Sequence, residues 1–189
     1  MARPLVRCWG SDDPLLADYH DKEWGRPAHG DRVLFEHLAL DGFQAGLSWR
    51  TILHKREAFR EAFAGFDPDR VARFGRREVQ RLLKDKAIVR NRQKIDATIA
   101  NARQVLELQS EFGSFDRFIW GFTGRKTLRG TPRLDWRQLP TSSPESDAMS
   151  AALKGRGFKF VGSTICYAFM QAVGMVDDHL AVCYRFKPR

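Results

Sequence analysis

Four side chains able to bind a metal stand in two pairs at opposite ends of the 189-residue chain. The stretch "LVRCWG…LADYHDKEWG" supplies Cys8 and His20, and "DDHLAVCYRFKPR" supplies His179 and Cys183, four residues apart before a basic tail. If that last stretch turns as a helix, the i, i+4 pair shares one face. Two thiolates and two imidazoles make a closed tetrahedral set that suits zinc and leaves no position for a substrate, so the site would be structural. Spacing alone leaves a second reading open, in which the four residues are separately packed or exposed, because the halves lie too far apart for a local finger. If the site forms, it ties residue 8 to residue 183, and the chain-entropy model of cross-links values that constraint at roughly 4–5 kcal/mol. The third cysteine, Cys166, lies in the apolar run "STICYAFMQAV" and reads as a buried core thiol.

A second constellation is aromatic. Trp9, Tyr19, Trp24 and Trp49 stand among polar residues in the first quarter of the chain, and one carboxylate, Asp41, sits in "LALDGFQAGLSWR". Aromatic faces around a carboxylate suit a flat cationic heterocycle, since ring quadrupoles attract the cation and the carboxylate pairs with it or accepts its exocyclic N–H. Core packing with an exposed aspartate is the plainer alternative.

These residues sit in a chain of one-domain size, long enough to bury about two-thirds of its unfolded surface. It is 43% hydrophobic, with five Trp and fourteen Phe. No apolar run approaches the ~18 residues of a membrane span, and "MARPLVRCWG" lacks the apolar stretch of a signal peptide. A cytoplasmic protein with reduced thiols and no membrane contact is expected, and three cysteines argue against a disulfide framework. The 32 Lys+Arg against 23 Asp+Glu leave a formal charge of +9, which favours a polyanionic partner over a merely solvated basic surface.

The pattern is helical nearly throughout, and no segment alternates convincingly as a strand. Asp31 is placed to cap a helix running to about Ala45, and Ser48 to cap the next, with Trp49, Ile52, Leu53, Phe59 and Phe63 on one face. "FDPDRVARF" restarts a helix at Asp67-Pro68. A helix, a short basic connector near 86–91 and a long helix carrying Ile95, Ile99, Ala102 and Leu106 follow. "GRKTLRGTPRLDWRQLPTSSP" reads as a long surface loop. Two closing helices are predicted, one from Ser143-Pro144 to Gly155/Gly157 and one from Val161 to Val173.

Three stretches, "YHDKEWG", "DGFQAGLSWRTILHKRE" and "RGFKFVGSTICYAFMQAVGMVDDH", occur in an order that resembles the bacterial 3-methyladenine DNA glycosylase I family of the helix-hairpin-helix superfamily, over about Arg7 to Cys183. The resemblance implies an all-α protein. A helix-hairpin-helix bundle over about 31–140 would be joined by a second lobe, 1–30 plus 141–189, clasped by one structural zinc on Cys8, His20, His179 and Cys183. It implies a monomeric, monofunctional glycosylase of base excision repair that hydrolyses the N-glycosidic bond of N3-methyladenine in duplex DNA. The base pocket then falls on Trp9, Tyr19, Trp24 and Trp49, and its carboxylate on Asp41. Gly46 and Leu47 would approach the gap left in the duplex, and Arg90, Arg92 and Lys94 the phosphates. A non-catalytic module that binds alkylation damage, and a zinc metalloenzyme using the Cys/His site, are the rival classes.

The chain departs from the family pattern at four places. Asp41 stands where Glu is usual, Phe43 where a polar residue often precedes the Gln, Ala87 where the hairpin has Gly, and Leu16 where Tyr occurs. Asp is one methylene shorter than Glu, so the contact is either lost or recovered through a backbone shift, a bridging water or a cavity narrowed by the bulkier Phe43.

Overall fold

The computed structural model describes residues 6–187; the last two residues of the basic tail and the first five of the chain lie outside them. Ten α-helices are described: α1 Pro14–Lys22, α2 Asp31–Gln44, α3 Trp49–His54, α4 Arg56–Ala62, α5 Pro68–Ala72, α6 Arg76–Lys84, α7 Arg92–Phe112, α8 Phe115–Gly121, α9 Pro144–Gly155 and α10 Ser163–Ala172. Side chains cap most of their N-termini: Asp13 for α1, Ser48 for α3, Asp67 for α5, Asn91 for α7, Ser114 for α8 and Ser143 for α9.

The mostly helical expectation holds, with three local corrections. Asp31 is not a cap of α2; it lies inside the first turn, and its carboxylate accepts from the N–H groups of Phe115 and Asp116 at 3.1 and 2.8 Å, so it serves α8 instead. The single helix expected through Phe63 breaks at Lys55 into α3 and α4. The loop expected over 124–144 contains a two-residue strand, β1 Leu128–Arg129, that pairs in parallel with β2 Val176–Asp177. Two residues are too few for alternation to register in a sequence, and only the tertiary contact makes them a strand.

Helix α2 runs through the middle of the molecule and is buried almost without interruption from Leu34 to Phe43, a helix surrounded on all sides rather than one with a solvent face. It packs on α3, α7, α8 and α10. Around it the core stacks Phe63 parallel to Phe66 with centroids 5.6 Å apart, and brings in Ile95, Ile99 and Ala102 of α7. Val105 and Leu108 complete the buried face of α7, while Leu106 is only half-buried. Cys166, Phe169 and Met170 of α10 close the far side, and Cys166 is fully buried as expected. A smaller cluster of Leu16, Tyr19, Trp24 and Leu53 forms where α1 meets α3, so Leu16 is a core residue there.

Candidate functional site

The two ends of the chain meet. Cys8, His20, His179 and Cys183 bring one ligand atom each to within 4.8 Å of one another, and all but Cys8 are buried. His20 Nε2 lies 3.3 Å from Cys8 Sγ and 3.5 Å from Cys183 Sγ. A tetrahedral zinc with ordinary Zn–S and Zn–N bonds would set sulfur and nitrogen about 3.6 Å apart. Both imidazoles are aimed by a carboxylate behind them: His20 Nδ1 is 2.9 Å from Asp21, and His179 Nδ1 is 2.7 Å from Asp177. That arrangement directs each Nε2 inward and is the usual support for a metal-binding histidine. Among the described residues His179 Nε2 is buried with no partner, an orphan that a metal would satisfy. The two thiols share one proton: hydrogen bonds from Cys8 and His20 draw the Cys183 thiol well down, while the same contact and burial push the Cys8 thiol up.

The stretch after β2 is not helical, so the shared face expected for His179 and Cys183 does not arise from a helix; a turn with Cys183 N–H on Leu180 C=O brings the pair together. Two glycines make the approach possible. Gly25 takes φ +71°, and a Cβ there would sit 2.8 Å from His179 Cε1; Gly174 takes φ +70°, and a Cβ would sit 2.1 Å from the Arg26 carbonyl carbon.

A cavity of about 140 Å³ opens beside this clasp, lined by Tyr19, Trp24, Asp41, Gln44, Trp49, Ala168, Gln171 and Ala172. That is close to the ~150 Å³ that accepts a benzene-sized ring. Trp24 joins the two sites, with its ring centroid 4.7 Å from His179 and 6.0 Å from His20. Tyr19 lies 5.2 Å from Trp49 across the cavity wall. Trp9 is not on that wall; it stands behind it, edge-on to Trp24 at 5.3 Å.

Two acids on α2 have opposite surroundings. Glu36 and Asp41 are both buried, at 7% and 4% exposure. Glu36 receives Arg56 at 2.6 Å and Arg60 at 2.8 Å. Burial alone would raise it, but those two guanidinium groups prevail and hold its carboxyl below the usual carboxylate range. Among the described residues Asp41 has no such cation: its Oδ2 is buried without any hydrogen-bond partner, and desolvation pushes the carboxyl well above its ordinary value. Trp49 Nε1, another polar atom at this cavity, also lacks a partner. An acid left unpaired in a cavity of aromatic faces has the chemistry to receive a flat cation.

The Methyladenine glycosylase family model matches residues 9–186. The chain belongs to that family. It is 49% identical over 180 residues to DNA-3-methyladenine glycosylase 1 of Escherichia coli (strain K12), covering 95% of this chain and 96% of the relative. It superposes on a crystal structure of 3-methyladenine DNA glycosylase I with TM-score 0.93 at 49% identity, covering 96% of this chain and all of that one. A Tyr-to-Phe variant of 3-methyladenine DNA glycosylase I, solved in complex with 3-methyladenine, is 36% identical with TM-score 0.89, over 95% and 96% of the two chains.

In this methyladenine glycosylase three segments surround the C-terminal end of α2. The turn after α2 presents exposed Gly46, at φ +77°, and exposed Leu47. The 85–91 connector brings exposed Arg90 and Arg92 alongside, with Lys55 Nζ donating to Ala87 C=O at 2.9 Å. Lys94 departs from expectation. It is buried, and its Nζ donates to the C=O groups of Phe43 and Ala45 at 2.8 and 2.5 Å, so it completes the C-terminus of α2 and is not available to a phosphate. Phe43 also departs: its ring lies 4.6 Å from Phe59, in the core, and does not narrow the cavity. Ala87 takes no positive φ, so the missing glycine carries no strain there.

The third segment, 156–162, joins the packed pair α9 and α10; it opens one of the three stretches that carry the resemblance, but no role at the site was read for it. It turns through Gly157 at φ +87° and Phe160 at φ +54°, and it leaves the N-terminus of α10 without a side-chain cap. Sequence reading also missed Gln44 and Gln171 on the cavity wall. Gln44 is three residues from Asp41 on the same helix, a spacing that placed it on the same face. No local signal pointed to Gln171, which arrives from α10.

Among the described residues no helix is long and apolar enough to cross a membrane.

Proposed function

We propose that this protein is a monofunctional DNA-3-methyladenine glycosylase, which excises N3-methyladenine from alkylated duplex DNA by hydrolysing the N-glycosidic bond, the first step of base excision repair. The observation that carries the reading is the buried, unpartnered Asp41 carboxyl facing a cavity walled by Tyr19, Trp24 and Trp49. Methylation at N3 makes the adenine a cation, which weakens its bond to the sugar and makes the departing base neutral. Strong acid catalysis is therefore unnecessary. The protein extrudes the damaged nucleotide and retains the cation between aromatic faces. Asp41, ionised against the bound cation, discriminates it from neutral adenine, with Trp9 bracing the wall from behind. Water completes the reaction at an oxocarbenium-like sugar carbon. Among the described residues no lysine lines the cavity, the buried Lys94 included, so no Schiff-base step is assigned.

Gly46 and Leu47 fill the gap in the duplex, and Arg90 and Arg92 meet phosphates. The uncapped N-terminus of α10 is a further phosphate-facing candidate on the segment beside them. Cys8, His20, His179 and Cys183 would hold one zinc. When bound it supplies cross-linking and no chemistry at substrate, since all four positions belong to the protein. On this reading the molecule has two lobes, a helix-hairpin-helix bundle over about 31–140 and a zinc-clasped lobe of 1–30 plus 141–189, working as a cytoplasmic monomer.

The test is incubation of the protein with methylated duplex DNA and chromatography of released bases. Free 3-methyladenine is the expected product. Tight binding with no released base would instead favour the non-catalytic damage-binding module.

A further inference from the structure

The charge of Asp41 separates cationic bases from neutral ones, but it does not separate one methylated purine cation from another. N3-methyladenine and N3-methylguanine both carry a positive charge; only the second has an amine at position 2, and at position 6 the first has an amine and the second a carbonyl. Discrimination there needs a neutral group with a fixed hydrogen-bond sense.

Gln171 meets that requirement. It lines the cavity from α10, and its Nε2 donates to Asp178 Oδ2 at 2.8 Å. Asp178 is 4% exposed and also accepts from Tyr167 Oη at 2.6 Å and Arg133 Nη1 at 3.3 Å. An ionised carboxylate accepts hydrogen bonds and donates none, so the amide is pinned with its nitrogen toward Asp178. Rotating it by half a turn would set two acceptors against each other. The carbonyl Oε1 is thereby held on the opposite side; it has no protein donor among the described residues and is not sealed in the interior.

We propose that Gln171 is a specificity-determining residue, whose Oε1 accepts the 6-amino N–H of the flipped base, and that Asp178 is the positioning residue that fixes this polarity. The proposal rests on the glycosylase reading above. A 6-carbonyl base would place oxygen against oxygen at Gln171, a repulsion that the pinned amide cannot relieve.

The experiment is single-turnover excision from one methylated duplex preparation containing both N3-methyladenine and N3-methylguanine, with metal content and helicity measured on every variant. For Gln171→Met the ratio of N3-methyladenine to N3-methylguanine release should fall about ten-fold, the size of one net hydrogen bond, mostly through slower release of the adenine lesion. For Asp178→Asn the amide is free to turn, and N3-methylguanine release should rise outright, which a merely structural role would not produce. Should Asp178→Asn lose metal or helicity, Gln171→Met decides alone, backed by tryptophan-fluorescence titration of the two free bases. A wild type with no preference between the two bases, or an unchanged ratio in folded Gln171→Met, overturns the inference. A wild type that releases no methylated base at all overturns the glycosylase reading instead.

Discussion

Replacing Asp41 by Asn should separate activity from stability in opposite directions. The carboxyl is buried at 4% exposure, unpaired, and raised well above its ordinary value by desolvation. An acid with a raised folded value is more easily protonated in the native state than in the unfolded chain. Its contribution is fully present below the unfolded value near 3.8 and is lost as pH climbs through the folded one. Each pH unit in that window removes about 1.4 kcal/mol. Asn is nearly isosteric and carries no charge, so Asp41→Asn should unfold at a higher temperature than the wild type at neutral pH and lose the decline in stability above pH 4. Excision moves the other way. A charge-assisted hydrogen bond to a buried group is worth about 1.5–3 kcal/mol, or about ten- to a hundred-fold in rate. Wild-type single-turnover excision should rise with pH through the raised Asp41 value, and Asp41→Asn should be slow and flat with pH while keeping its metal and fold. Neutral lesions such as hypoxanthine should be poor substrates for both. Wild-type-like excision by Asp41→Asn at saturating enzyme would refute the reasoning and leave the aromatic walls as the discriminating element.

Cys183→Ser should lower the melting temperature and abolish stoichiometric zinc before it alters the cavity, because it opens the clasp between residues 8 and 183; elemental analysis showing no zinc in wild type purified without chelator would sink this expectation. Changing both Arg90 and Arg92 to Gln should weaken binding to damaged and undamaged duplex alike and reduce the salt slope by about two, whereas Lys94→Met should destabilise the fold through the lost α2 carbonyl contacts; equal melting temperatures for Lys94→Met and wild type would contradict that division. Gly174→Ala should be among the most damaging single changes, since a Cβ there would meet the Arg26 carbonyl carbon at 2.1 Å on a backbone already at φ +70°. A loss of several kcal/mol in denaturant unfolding is expected, and an unchanged midpoint would show that 25–27 can move aside.

Much of this molecule was legible because its signals are local. Ser48, Asp67 and Ser143 cap the helices expected of them, since a capping oxygen needs only the N–H two or three residues ahead. Residue type likewise nominated Cys8, His20, His179 and Cys183 as a metal set and the early aromatics with Asp41 as a pocket. What a residue faces was not legible. Asp31 and Lys94 both have the chemistry expected of them, an acid for N–H groups and a cation for oxygen, but each spends it on a distant segment: Asp31 on α8, Lys94 on the end of α2. Phe43 turned to the core and Trp9 to the rear of the cavity wall for the same reason, because rotamer and neighbour decide direction and neither is written in spacing.

By itself, then, the sequence determined most helices and caps, which are properties of short-range periodicity and local hydrogen bonding, and it nominated four metal-ligating side chains whose grouping the family resemblance implied. Only the tertiary structure decided which acid stays unpaired. Glu36 and Asp41 lie five residues apart on one helix, and nothing local distinguishes them. Glu36 faces Arg56 and Arg60 from α4, while Asp41 faces a cavity closed by α1, α3 and α10. The difference is one of solvation and charge summed over segments far apart in the chain, and it arises only when they pack.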